Sequence, residues 1–235
     1  MDNVPYFTSY YYWSSDEYSA SAVWTCRKAN NNQGSPITTV YTKSDRAFCI
    51  AFMDLSGPCG KPINNNGHEY VDLGLPSGTL WATMNVGASS PTEYGDYYMY
   101  GMGSKTYDSS DTPYDGTEDP LDLSKDTARQ VWGGDWHMPT NTQFEELTAN
   151  TSYEWTTING VNGGKFTATN GNYVFLPAAG NWYYGSQNSV GSYSTYWGSS
   201  PNGSDRAYYL YFGDGYEDMD TDYRKYGYSV RGVIG

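Results

Sequence analysis

The strongest constraint on this chain lies in its last quarter, between Phe175 and Gly235. There the run Ala207-Tyr208-Tyr209-Leu210-Tyr211-Phe212 alternates with period two. Tyr208, Leu210 and Phe212 share one parity, and Tyr209 and Tyr211 the other. A strand sends successive side chains to opposite faces. One face of this strand therefore suits a core, and the other is expected to show tyrosines to the outside. Eleven of the chain's 26 tyrosines fall between Tyr183 and Tyr228, mixed with Asp, Ser and Gly. Tyrosine supplies rigid amphipathic contact area, and small polar residues supply adaptable hydrogen bonds. That vocabulary suits a recognition surface carried on strands.

Composition narrows the class. Of 235 residues, 17% are aromatic and only 17% charged, with 27 glycines, a mix that favours strands and turns over helical bundles. A net charge of −13 argues against nucleic acid, whose phosphates need clustered Lys and Arg. No apolar run approaches the roughly 18 residues of a membrane-spanning helix. Met1-Asp2-Asn3-Val4-Pro5 lacks the basic and apolar regions of a signal peptide, so export by that route is not expected unless the chain is a cut fragment. Cys26, Cys49 and Cys59 leave two possibilities open, one disulfide with a free thiol or three reduced thiols. With only His68 and His137 besides, a zinc site lacks ligands, and no metal or cofactor is expected.

Residues 1–53 echo the C-terminal run. Tyr12-Trp13-Ser14-Ser15 matches Tyr196-Trp197-Gly198-Ser199, and Ala22-Val23-Trp24 falls near Ala207-Tyr208-Tyr209. Lys43 to Ile50 resembles Arg224 to Val230 in its order of basic, small, aromatic and β-forming residues. These residues are expected to be a degenerate half-repeat of the C-terminal module. Residues 54–66, dense in Gly, Pro and Asn, read as a linker. Strands are expected at His68–Leu73 and Thr79–Met84, and again at Tyr153–Thr156, Gly164–Thr169 and Tyr173–Leu176. Ser124 is expected to cap a first helix that ends at Gly133-Gly134. Thr140 with Gln143 forms a capping box for a second helix, with Phe144 and Leu147 on its apolar stripe. A strand pair, two helices and many short antiparallel strands read as α+β.

Several separated motifs resemble one family. His68-Glu69-Tyr70-Val71-Asp72-Leu73-Gly74-Leu75-Pro76-Ser77-Gly78-Thr79-Leu80-Trp81-Ala82 looks like the opening of a bacterial C-type-lectin-fold module. Trp132-Gly133-Gly134-Asp135-Trp136-His137-Met138-Pro139-Thr140 is similar to the aromatic-arginine-leucine-proline-threonine helix start of formylglycine-generating-enzyme-like domains, with His137 and Met138 in place of the usual pair. Phe175 to Gly180, Tyr196-Trp197 and Tyr228-Ser229-Val230-Arg231 extend the likeness across residues 67–235. Within that superfamily the chain most resembles the variable proteins of diversity-generating retroelements. The resemblance implies a C-type-lectin-like fold and a diversified segment at about 181–226. Gly198, Gly213 and the candidate contacts Tyr183, Tyr193, Thr195, Tyr209, Tyr211, Tyr216, Asp218, Asp220, Asp222, Tyr223 and Tyr226 fall in it. Trp197, Leu210, Phe212, Met219, Arg224 and Val230 would be the scaffold between them.

Chemistry finds less support in the residues. Asp218-Met219-Asp220-Thr221-Asp222 mimics the start of a calcium loop, but Tyr223 and Ser229 stand where that loop needs Gly and Glu. The calcium motifs of sugar-binding C-type lectins are missing; Ser200-Pro201-Asn202 is the nearest approach. Residues 60–235 hold no cysteine for formylglycine-type chemistry. His137 is expected to pack or cap at a helix entrance, and Glu145 and Glu146 to lie solvated without a partner that tunes them. The expectation is a non-enzymatic, adhesin-like binder on a bacterial surface, a pilus tip or a phage tail. Its partner would be a protein or glycan on a target cell. The rival is a structural repeat of a surface or tail fibre whose aromatics pack on neighbours.

Overall fold

The computed structural model of the protein describes residues 65–235 in full and, as backbone, 11–19, 22–27, 37–42 and 63–64. The chain divides into two compact units, Met1–Pro62 and Ile63–Gly235. In the first, β1 (Tyr11–Ser19), β2 (Ala22–Arg27) and β3 (Ile37–Thr42) form an antiparallel sheet in that order. Cys49, Cys59, residues 43–50 of the expected repeat and the 54–62 part of the expected linker lie outside the described residues.

The second unit is α+β. Its elements are β4 (Ile63–Asn65), β5 (His68–Asp72), β6 (Leu80–Asn85), α1 (Thr127–Trp132), α2 (Asn141–Asn150), β7 (Thr151–Ile158), β8 (Val161–Ala168), β9 (Tyr173–Pro177), β10 (Asn181–Tyr183), β11 (Ser186–Asn188), β12 (Tyr193–Asn202), β13 (Arg206–Gly213), β14 (Tyr216–Tyr223) and β15 (Arg231–Ile234). They assemble into the sheets β15-β6-β5-β4, β7-β8-β9 and β12-β13-β14 and the hairpin β10-β11. No described helix is long and apolar enough to cross a membrane.

Two local expectations need correction. Ile63–Asn65 is strand rather than linker, because Asn66 and Gly67 take positive φ (51° and 90°) and turn β4 back onto β5. Asn-Gly is the pair that a tight hairpin turn of this hand requires. The first helix begins at Thr127, not after Ser124. Asp126 is its cap, with Oδ1 accepting from Arg129 N (2.9 Å) and Oδ2 from Met138 N (2.8 Å). One carboxylate thereby ties the helix start to the entrance of α2, which a serine could not do. The second helix follows its sequence: Thr140 and Gln143 form the reciprocal box, and Phe144 and Leu147 are buried.

Two hydrophobic cores result. One joins Trp81, Phe144, Leu147, Phe166, Leu176, Tyr196, Leu210 and Phe212; the other joins Trp132, Trp136, Trp197, Tyr98, Tyr100, Tyr228 and Val230. Arg231 is wholly buried beside them, and among the described residues no carboxylate pairs with it. Its Nε donates to Asn85 Oδ1 (3.0 Å), Nη1 to Ala82 O (2.8 Å) and Nη2 to Phe175 O (2.9 Å). Asn85 in turn donates to Tyr94 O and Tyr196 Oη, and Tyr196 Oη donates to Pro177 O. The network therefore joins β6, β9, β12 and β15. Burial pulls the guanidinium down to about 10, a sign of how little water reaches it. Replacing Arg231 with Met strips those carbonyls of donors in a dry site, so urea denaturation should show a loss of about 3 kcal/mol or more. A loss below about 1 kcal/mol would contradict the network's role.

Candidate functional site

The parity read from Ala207–Phe212 holds. Leu210 and Phe212 are buried; Phe212 stacks on Tyr196 (ring centroids 5.8 Å) and meets Phe166 edge-on (6.1 Å). The opposite parity carries the candidate residues in register. Thr195 pairs with Tyr211 and Tyr211 with Asp218; Trp197 pairs with Tyr209 and Tyr209 with Asp220. Tyr193, Tyr216 and Asp222 complete this face at its two ends.

Being on the outward parity does not make every residue accessible. The segment Tyr226–Tyr228 lies over the middle of the face, and Tyr228 stacks on Trp197 at 4.2 Å. Trp197 Nε1 donates to Tyr98 O (2.9 Å), and Trp197 N donates to Ser229 O (3.0 Å). Thr195 and Tyr209, expected as exposed contacts, are therefore buried at 0% and 8%, and Tyr226, in the covering segment itself, is buried at 2% against Tyr183. Thr195 and Tyr209 are the floor of the site, and Tyr226 is part of its cover, rather than open surface. Alternation states which way a side chain points, not whether another segment covers it. Gly198, expected to be interchangeable, is also constrained: a Cβ there would sit 3.1 Å from Pro139 O.

The remaining candidates form one connected ring system. Tyr216 lies 6.2 Å from Tyr211, Tyr211 5.8 Å from Tyr209, and Tyr209 5.2 Å from Tyr228. Tyr228 continues to Tyr226 (6.4 Å), which meets Tyr183 (4.3 Å) and Tyr223 (6.2 Å). Tyr193 joins at the side through Tyr211 (6.2 Å). Such separations are those of favourable aromatic pairs. The middle of the band is buried and its ends are open: Tyr216, Tyr183 and Tyr223 are 46%, 43% and 40% exposed. Tyr223 has the parity of the core face of β14, and only its position at the strand end, against Tyr226, brings it into the band.

Tyr184 was not among the expected contacts, yet it is the most exposed large aromatic described, at 67%. It sits in the turn of the β10–β11 hairpin with φ 48°, followed by Gly185 at 76°. A left-handed bulky residue is strained by about 1 kcal/mol or more, and such strain gathers at binding sites. The X-Gly pair Tyr184-Gly185 was the available signal.

The two ends of the band differ in charge. Lys225 Nζ stands 4.7 Å from the Tyr184 ring centroid, and the Arg206 guanidinium 4.2 Å from that of Tyr223. The Tyr211–Tyr216 end faces Asp218 and Asp220 instead, while Asp222 lies toward the Arg206 end, opposite Ala207. Burial, and next the charges of Asp220 and Asp222, push Tyr209 up to about 12; burial and the charges of Asp218 and Asp220 raise Tyr211. Each carboxylate accepts, through Oδ1, the amide of the residue after it: Met219 (2.8 Å), Thr221 (2.7 Å) and Tyr223 (2.7 Å). Those three amides share the parity that points away from β13, since amides of an antiparallel edge strand alternate between neighbour and open side. The chain thus occupies its own edge donors, a guard against strand addition.

The other candidates are structural. Glu146, expected without a partner, holds the Ser77 turn by accepting from Ser77 N (2.8 Å) and Oγ (2.5 Å). Glu145 accepts from Asn141 Nδ2 (2.7 Å). His137 bridges Met138 O and Gly235 O, both at 2.9 Å. Asp218 to Asp222 lie on a straight strand, and among the described residues no three His, Cys, Asp or Glu side chains are grouped to hold a metal ion.

The division between floor and rim is open to measurement. Tyr209→Ala should lower stability by about 3 kcal/mol, as for a buried aromatic, and Tyr216→Ala by no more than about 0.5 kcal/mol. Equal losses in paired melts would reverse the assignment. Comparisons with protein-family models, with curated proteins and with solved structures return no match for this chain.

Proposed function

We propose that this chain is a non-enzymatic ligand- or receptor-binding protein of adhesin type. Its Ile63–Gly235 unit would be a C-type-lectin-like domain resembling the variable proteins of diversity-generating retroelements. The observation that carries the reading is the continuous tyrosine band on β12–β14, accessible at both ends over a fixed floor. Tyrosines often anchor protein contacts, and here the exposed ones at each end rest on a packed, buried middle. Tyr183, Tyr184, Tyr193, Tyr211, Tyr216 and Tyr223 with Asp218, Asp220 and Asp222 form the contact layer. Thr195 and Tyr209 support it from below, and Tyr226 buttresses Tyr183 and Tyr223. The partner is a protein or glycan on a target cell, met from a bacterial surface or a phage virion.

The pairing of the N-terminal sheet supports a half-repeat. Tyr11, Tyr12 and Trp13 face Arg27, Cys26 and Thr25, as Thr195, Tyr196 and Trp197 face Tyr211, Leu210 and Tyr209. Both ladders break after the tryptophan and resume at Glu17 with Val23 and at Pro201 with Ala207, so Val23, rather than the Ala22 expected from the sequence, stands in Ala207's place. The third strands agree too: Val23 faces Tyr41 as Ala207 faces Asp222.

Sequencing the coding end across independent isolates tests the proposal. Substitutions should concentrate at Tyr193, Tyr211, Tyr216, Asp218 and Asp220, arise at adenines, and spare Trp197, Leu210 and Phe212. Changes spread evenly, or falling on the buried set, would refute diversification of this face.

A further inference from the structure

We infer that the Asp-bearing end of this face docks an arginine-rich segment of a partner protein; this rests on the binding reading above. The band supplies an internal precedent and an asymmetry. At one end the chain places its own guanidinium, Arg206, at 4.2 Å over Tyr223, and Lys225 over Tyr184. At the other end, among the described residues, no Lys or Arg lies over Tyr193, Tyr211 or Tyr216. Nor does any described ion pair engage Asp218, Asp220 or Asp222.

The carboxylates stand one strand away, Asp218 directly opposite the half-buried Tyr211 and Asp220 opposite the buried Tyr209, so Tyr211 is the ring within reach. Side chains so paired are neighbours within about 5 Å at Cβ. Oδ1 of each is fixed by the next amide, and Asp222 Oδ2 accepts from Tyr228 Oη (2.6 Å). Asp218 Oδ2 and Asp220 Oδ2 have no donor among the described residues, and both residues are exposed. A planar group that stacks on a tyrosine face while donating in-plane to a carboxylate matches this layout. Guanidinium does both, whereas ammonium is a compact, strongly hydrated charge. The occupied edge amides of β14 leave the face, not the strand edge, as the route of approach.

The test titrates the full chain with a short oligo-arginine peptide, following fluorescence anisotropy, with oligo-lysine alongside. Asp218→Asn with Asp220→Asn removes charge but keeps the Oδ1 acceptors. Asp135→Asn with Glu145→Gln removes the same charge elsewhere on the exposed surface. The first pair should weaken oligo-arginine binding by about tenfold or more and the second by less than about threefold, with oligo-lysine binding more weakly than oligo-arginine. Equal weakening by both pairs would show diffuse attraction to an acidic protein and overturn the assignment, as would failure of oligo-arginine to bind. Either failure leaves the sequencing test untouched, because substitution at the face is read there without reference to charge.

Discussion

The stack of Tyr228 on Trp197 is the contact on which the site depends. Trp197 lies on the outward parity of β12, and left bare it would expose one of the largest apolar surfaces in the chain. Tyr228 covers it at 4.2 Å, Tyr100 and Tyr209 meet it edge-on, and its indole donates to Tyr98 O. Closing that hole commits the segment Tyr226–Tyr228 to cross the sheet. The crossing sinks Tyr209 and Tyr226 and leaves the corners of the face open. The accessible tyrosines are therefore those beyond the reach of one covering strap.

Two buried arginines hold the strap in place from either side. Arg231 is held by Asn85 Oδ1 and the carbonyls of Ala82 and Phe175, and Arg224 by the carbonyls of Tyr114, Gly116, Gly203 and Arg206. A guanidinium that donates to carbonyl groups joins several loops at once, and neither side chain relies on a carboxylate. Arg224 also lies over the Tyr100 ring at 4.6 Å, so it ties the end of β14 to the second core. The corner side chains, Tyr184 and Tyr216 among them, are exposed and lie outside both arginine networks. Exchange at the corners is thereby compatible with a constant frame.

Much of this was legible in the residues. The period of Ala207–Phe212 gave the core face, Thr140 and Gln143 gave the start of α2, and the α+β order followed from the strand and helix signals. What escaped was long-range. Tyr209 carries the same local signature as Tyr211, and only the path of the Tyr226–Tyr228 segment, far along the chain, decides which of them is covered. Asp126 escaped for a similar reason: it is favoured over Ser124 by the amide of Met138, which lies on the far side of α1 in the chain. Tyr184 escaped because its left-handed turn depends on the β10–β11 pairing closing around it.

The central claim is that side-chain alternation and one covering strap together sort the tyrosines into a rim and a floor. Limited nitration of the folded chain, read residue by residue by mass spectrometry, addresses it directly. Tyr184 and Tyr216 should react first, while Tyr196, Tyr209, Tyr226 and Tyr228 should react only as the fold is lost. Reaction of Tyr209 or Tyr226 as early as Tyr216, or protection of Tyr216 in the folded chain, would contradict the account.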